Sequence, residues 1–157
     1  FTMAWEFTGK LYDEFEIGKE YYTTSRTVTE ADVVNFAGLS GDFSALHTNE
    51  EYAKKSMFGT RIAYGALTYC ISTGLVCSSG IFDGSYLALL GCEFSFPNPV
   101  RFGDTITCVI TPVEKRLSRK PGRGIIKFKV ETTNQKNEVV ADQMWTVLMA
   151  TDREHME

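Results

Sequence analysis

The sequence predicts an α+β domain whose antiparallel sheet carries its helices on one face. Two observations point there. Helical segments fill residues 29–79, and one of them is apolar nearly all round. Four strand-like segments then follow from Tyr86 to Ala150 with only turns between them. Strands joined by short turns pair antiparallel. The length of 157 residues, 43% hydrophobic, suits one core, so residues 3–151 read as a single domain. Phe1 and Thr2 precede the first Met and read as an added remnant, and residues 152–157 read as a charged, frayed tail.

Each element has its own signal. Residues 10–17 are an irregular lead-in, and Lys19 to Val28, rich in Tyr and Thr, suits an edge strand. Thr29 caps a helix whose first turn carries Glu30 and Asp32 and which ends at Gly38 or Gly41. Ser44 to Thr48 reads as loop, and Asn49 caps a short helix over Glu50 to Met57. Ala63 to Ser79 is the apolar helix, about 25 Å long and expected to be buried on most sides. Tyr86 to Phe96 is a strand interrupted at Gly91 and stopped by Pro97-Asn98-Pro99. Ile106, Cys108 and Ile110 share one face of the next strand, Asp104 to Pro112. Ile126, Phe128 and Val130 do so in Gly124 to Thr132, with Lys127 and Lys129 opposite. Residues 134–137 turn into the last strand, Glu138 to Ala150. Strands of this length span about 27–34 Å, enough for a curved sheet to wrap the whole helix.

Composition excludes several classes. Sixteen basic against 20 acidic residues leave a net charge of −4, so nucleic-acid phosphates are poor partners. No apolar run is long enough for a membrane span, and no basic-then-apolar leader opens the chain, so a cytoplasmic location is expected. Cys70, Cys77, Cys92 and Cys108 form no C-x-x-C pair and read as small buried hydrophobes in a reducing compartment. No short-spaced His or Cys pairs suggest a metal site. Trp5 and Trp145 are assigned to core or interface, and Met144, Met149 and Phe128 to core.

The chemistry concentrates in Ser40-Gly41-Asp42-Phe43-Ser44-Ala45-Leu46-His47, which holds one of only two histidines. On a helix, Asp42 and His47 would sit roughly 140° apart. On a bent loop they can converge on one water, as an acid–base pair does. Taken alone, the spacing also fits a capping Asp and an ordinary His. Gly65 opens the apolar helix, where a free N–H can stabilise an oxyanion; tight helix–sheet packing is the other reason for a glycine there.

The stretch Phe36 to Ala53 resembles the hydratase-2 motif of MaoC-like dehydratases and (R)-specific enoyl-CoA hydratases. Gly41, Asp42, Leu46, His47 and Ala53 match it. Ile62-Ala63-Tyr64-Gly65-Ala66-Leu67 is similar to the start of that family's central helix, and Phe96-Pro97-x-Pro99-Val100 with Gly103-Asp104-Thr105 to its later strand region. The resemblance implies a hotdog fold, a long central helix wrapped by a curved antiparallel sheet of about five strands. It implies a homodimer or higher homo-oligomer with the sheets joined edge to edge, and an acyl thioester of coenzyme A bound near the interface. It also implies a lyase of fatty-acid metabolism that adds water to a trans-2-enoyl thioester, giving a (R)-3-hydroxyacyl thioester. Asp42 and His47 would hold the water and the Gly65 N–H would polarise the carbonyl. No cofactor is called for, coenzyme A being part of the substrate.

Ser44-Ala45 stands where the family has Asn-Pro, and Tyr64 where it has His before the glycine. Ser44, Phe58 and Tyr64 are assigned to the substrate side of the site. The basic run from Lys115 to Arg123 is a solvated hairpin tip or a contact for coenzyme A phosphates. A hotdog acyl-CoA thioesterase and a non-catalytic acyl-CoA-binding domain are the alternative readings.

Overall fold

Alternating side chains become the two faces of one sheet. The computed structural model describes residues 6–156; Phe1, Thr2 and Trp5 lie outside them. The strands are β1 (Tyr21–Thr27), β2 (Tyr86–Ser95), β3 (Thr105–Leu117), β4 (Arg123–Thr133) and β5 (Val139–Ala150). They form one sheet in the order β1-β3-β4-β5-β2, with every neighbouring pair antiparallel. Ile106, Cys108 and Ile110 of β3, Ile126, Phe128 and Val130 of β4, and Trp145, Val147 and Met149 of β5 are fully buried. They line the concave face, while Lys127 and Lys129 pair with Glu114, Glu131 and Asp142 on the other.

Before α4 come α1 (Glu30–Ser40), α2 (Ala45–Thr48) and α3 (Glu50–Ala53), and the wrapped helix is α4 (Gly65–Ser78). It packs on β1, β3 and β5, burying Leu67, Ile71, Leu75 and Val76. A buried polar chain pins it to the sheet. The hydroxyls of Ser72 and Thr132 lie 2.9 Å apart, Gln143 Nε2 donates to Thr132 Oγ1 at 3.2 Å, and Trp145 Nε1 donates to Gln143 Oε1 at 2.9 Å. Each of these four side chains therefore has a partner in a place where an unpaired one would be costly. This is the hotdog architecture, a helix wrapped by a five-stranded antiparallel sheet.

Several expectations need correction. The helix starts at Gly65, not Ala63, because the Ala63 N–H is committed to Val100 O (2.8 Å) and Ile62 bridges to Arg101. Nor is it covered all round: Ala66, Cys70, Gly74 and Cys77 form an exposed stripe that the sheet does not reach. Of the four cysteines only Cys108 is buried. Residues 45–48 are a helical turn rather than loop, since Ser44 O accepts from both His47 N and Thr48 N. Strand β3 runs five residues beyond Pro112 to Leu117, with a register shift between Pro112 and Glu114. Residues 151–155 are held in place rather than frayed: Arg153–His155 form a 3-10 turn, Thr151 N bonds Gly122 O, and Arg153 Nη1 donates to Phe7 O.

Candidate active site

The site begins with the end of α1. Gly41 takes a left-handed conformation (φ 74°) and its N–H donates to Ala37 O, which stops the helix and turns the chain. Ser40 Oγ donates to Phe36 O and accepts from Asp42 N, so residue 42 leaves the helix in a fixed direction. The Asp42 carboxylate then accepts from Ser44 N (2.9 Å) and Ser44 Oγ (2.8 Å), closing a tight Asx turn. These two donors, the backbone one first, hold its carboxyl below the usual carboxylate range, and the nearby His47 adds to the effect. Asp42 itself is exposed.

His47 stands on α2, half-buried. Its Nδ1 lies 2.8 Å from Ile62 O. A carbonyl only accepts, so in the neutral ring Nδ1 carries the hydrogen and Nε2 keeps its lone pair. Ile62 is itself held by the bridge to Arg101, and next to it Arg61 forms ion pairs with Glu30 of α1 (2.7 Å) and Glu50 of α3 (3.0 Å). The Tyr64 ring lies against the imidazole with centroids 3.9 Å apart.

Gly65 is the first residue of α4, and the preceding Tyr64 supplies no side-chain cap. A first-turn N–H has no acceptor within its own helix, and among the described residues none outside it meets Gly65 N. A side chain at this position would collide with Phe96: an added Cβ would sit 2.7 Å from ring atoms Cδ2 and Cε2.

His47 and Gly65 open onto the same cavity of about 340 Å³. Phe58, Thr68, Phe96 and Val140 are part of its mostly apolar wall, and His47 is the one ionisable side chain in it. Asp42 is outside the lining. Among the described residues no hydrogen bond, and no ion pair within 4.0 Å, joins it to His47, yet it is near enough for the imidazole to influence it. A larger open hollow of about 650 Å³ lies by Ser79 and Gly80, at the other end of α4, and has no histidine.

Of the residues assigned to the substrate side, Phe58 lines the cavity; Ser44 and Tyr64 do not. Ser44 is committed to the Asp42 carboxylate, and the Tyr64 hydroxyl donates to the Asp42 backbone carbonyl. The basic tip at 115–123 is also displaced. It sits at the Leu117 end of β3, whereas Asn98, Val100 and Val140 put the cavity at the Thr105 end, about 40 Å of strand away. Lys115 is tied to Phe15 O and lies over the Tyr12 ring. Within one chain the tip is therefore a solvated turn. The sequence reading missed Phe96 and the Ile62 carbonyl. Phe96 stood out as the end of a strand and the start of a family-like Phe-Pro segment, with no sign of a place in the site, and a backbone acceptor leaves no mark in a sequence. Among the described residues no group of His, Cys, Asp and Glu side chains could hold a metal ion.

Comparison with known proteins supplies the family. The model for the MaoC like domain matches residues 14–135. Protein MaoC of Klebsiella aerogenes is 36% identical over 112 residues, 71% of this chain but 33% of that protein, so the chain spans about a third of its length. The (R)-specific enoyl-CoA hydratase of Rhodospirillum rubrum is 36% identical over 99 residues, 62% of this chain and 67% of that one. A solved structure described as a monoamine oxidase regulatory protein from Archaeoglobus fulgius superposes with a TM-score of 0.85 at 34% identity, covering 92% of this chain and 96% of that chain.

Proposed function

The chain belongs to the MaoC-like dehydratase domain family, and from that premise we propose that it adds water reversibly across a trans-2-enoyl thioester of coenzyme A. The observation that carries the proposal is the shared cavity, onto which the His47 side chain and residue Gly65, at the uncapped start of α4, both open.

The thioester carbonyl accepts a hydrogen bond from Gly65 N–H, which draws electron density away from C3. A preorganised donor of this kind is worth about 2.7–4 kcal/mol where charge develops on the oxygen. A water held between Asp42 and His47 attacks C3 while Nε2 of His47 takes one of its protons. The imidazolium so formed keeps its Nδ1–H bond to Ile62 O and faces the Asp42 charge. It then returns the proton to C2 as the enolate collapses, so hydroxyl is added at C3 and hydrogen at C2. The thioester itself acidifies C2, so the sequence of steps uses no metal or redox group, and coenzyme A enters only with the substrate. The product is the (R)-3-hydroxyacyl thioester, a stereochemistry taken from the name of the R. rubrum relative.

The working form is a homodimer joined along β2. That strand is an outer edge of the sheet and exposes Leu90 and Phe94 beside its unpaired backbone. Among the described residues no helix is long and apolar enough to cross a membrane.

The test is turnover of enoyl-CoA thioesters of increasing acyl length, followed by loss of the conjugated chromophore and by a thiol reagent in parallel. Chromophore loss without free thiol is the expected result. Release of free coenzyme A identifies thioester hydrolysis instead, and tight binding without either signal identifies a non-catalytic domain.

A further inference from the structure

Tyr64 connects the three parts of the site. It is 3% exposed and does not line the cavity, so it has no route to substrate. Its hydroxyl reaches 22 residues back to donate to the carbonyl of Asp42. Its ring packs on one side against His47, at 3.9 Å between centroids and 35° between planes, and against Phe36 of α1 at 5.0 Å. Its own carbonyl accepts from Thr68 N and Thr68 Oγ1, which fixes the first turn of α4 and hence the direction of the next N–H, that of Gly65. Burial first, and the Asp42 charge second, push the phenol above its ordinary value, so it stays a donor.

We infer that Tyr64 is a positioning residue: it locks the Asp42 turn, the His47 imidazole and the Gly65 amide into one rigid unit, its hydroxyl holding the turn and its ring holding the imidazole against Ile62 O. The inference deepens the hydratase reading and rests on it for its kinetic consequences, while its conformational consequence does not depend on turnover. The two jobs are separable. Tyr64→Phe keeps the ring and removes the tether to Asp42. Tyr64→Leu removes both.

In the hydration assay Tyr64→Phe lowers kcat about five- to tenfold, the worth of one neutral hydrogen bond, with KM within about twofold of wild type. Tyr64→Leu lowers kcat about 100-fold, the usual consequence of letting a reacting group drift by an ångström. The second readout is the imidazole nitrogen spectrum at about pH 9, where free imidazoles are neutral. The chain has only two histidines, His47 and His155, so assignment needs one His155→Ala control. Wild type and Tyr64→Phe should show His47 with Nδ1 protonated and Nε2 bare. In Tyr64→Leu both nitrogens should shift toward the averaged values of a mobile ring.

A His47 spectrum unchanged in Tyr64→Leu overturns the inference, whatever the kinetics. So does a kcat unchanged in both variants of an active enzyme. A wild type that hydrates no enoyl thioester overturns the hydratase reading, and the nitrogen spectra still decide the role of Tyr64.

Discussion

Replacing Gly65 with alanine adds one methyl group between the start of α4 and the Phe96 ring. The backbone tolerates it, because Gly65 is not among the glycines with positive φ. The obstacle is steric. The new Cβ would lie 2.7 Å from two atoms of the ring and 3.0 Å from a third. Carbon atoms settle at about 3.5–4.0 Å, so the ring must retreat by about 1 Å. Phe96 is 39% exposed and can yield, but it is also a wall of the cavity, so its retreat reshapes the place where the thioester carbonyl would sit. Displacement by this distance costs about 100-fold in kcat/KM. Stability moves little. Moving the ring off its rotamer costs about 0.5–1.5 kcal/mol. Removing a glycine from the unfolded chain returns about 0.4–1 kcal/mol. The net of less than about 1 kcal/mol changes Tm by about 2–4 °C at most. We therefore predict a Gly65→Ala protein that melts like wild type and hydrates enoyl-CoA about 100-fold more slowly. Adding Phe96→Ala removes the collision and should recover most of the loss relative to Phe96→Ala alone. A Gly65→Ala rate within about threefold of wild type, or a double variant no faster than Gly65→Ala, would refute the proposed collision.

Three further outcomes follow from the same geometry. His47→Ala should lower kcat by roughly 10²–10⁴-fold with little change in melting, since the ring is half-buried and its loss opens no core cavity; retention of a tenth of the wild-type rate would remove it from the reaction. Ser44→Ala takes away one of two donors to the Asp42 carboxylate, so the carboxyl should titrate closer to the ordinary value of about 3.9, as carbon-13 carboxyl spectra can show. Because the folded pKa is depressed, that donor stabilises the fold above the unfolded value and its contribution vanishes as pH falls through the folded one; urea midpoints of the two proteins should differ above about pH 5 and converge in acid. Phe128→Ala, at a fully buried site where Phe15 and Phe82 rings pack at 5.1 Å, should cost about 3–5 kcal/mol in urea unfolding, and a loss below about 1 kcal/mol would contradict the assigned core.

The parts legible in the sequence are those set by local pattern. Period-two alternation in β3 and β4 identified their buried faces, because a slip of one residue would turn Ile126, Phe128 and Val130 to solvent. Thr29 marked the start of α1 through its capping chemistry; of the two glycines offered for its end, Gly41 is the cap and Gly38 stays inside the helix. What was not legible depends on distant chain. Pro112 reads as a strand end, yet β1 stops pairing with β3 at the Tyr21–Ile110 pair, and a register shift absorbs the proline before β3 continues along β4. The exposed stripe of Cys70 and Cys77 reflects which side of α4 the sheet covers, and composition cannot tell one side of an apolar helix from another. In the site, the Asp42–His47 spacing suggested a convergence, whereas the residues brought onto one cavity are His47 and Gly65, with Asp42 outside its lining. The Ile62 carbonyl that orients the imidazole comes from 15 residues away, and the work of Tyr64 depends on a contact 22 residues back. Both departures from the family pattern, Ser44 and Tyr64, turn out to bond Asp42 rather than line the cavity.

In the proposed reaction Asp42 and His47 deliver water to carbon 3 of an enoyl thioester whose carbonyl rests on Gly65. Incubating the purified protein with a trans-2-enoyl-CoA in oxygen-18-labelled water, then locating the label and the handedness of the product, tests it most directly. Label is expected in the hydroxyl of an intact (R)-3-hydroxyacyl thioester, formed by wild type and lost in Asp42→Asn. Label in a free carboxylate, or a hydroxyl formed as fast by Asp42→Asn, would contradict it.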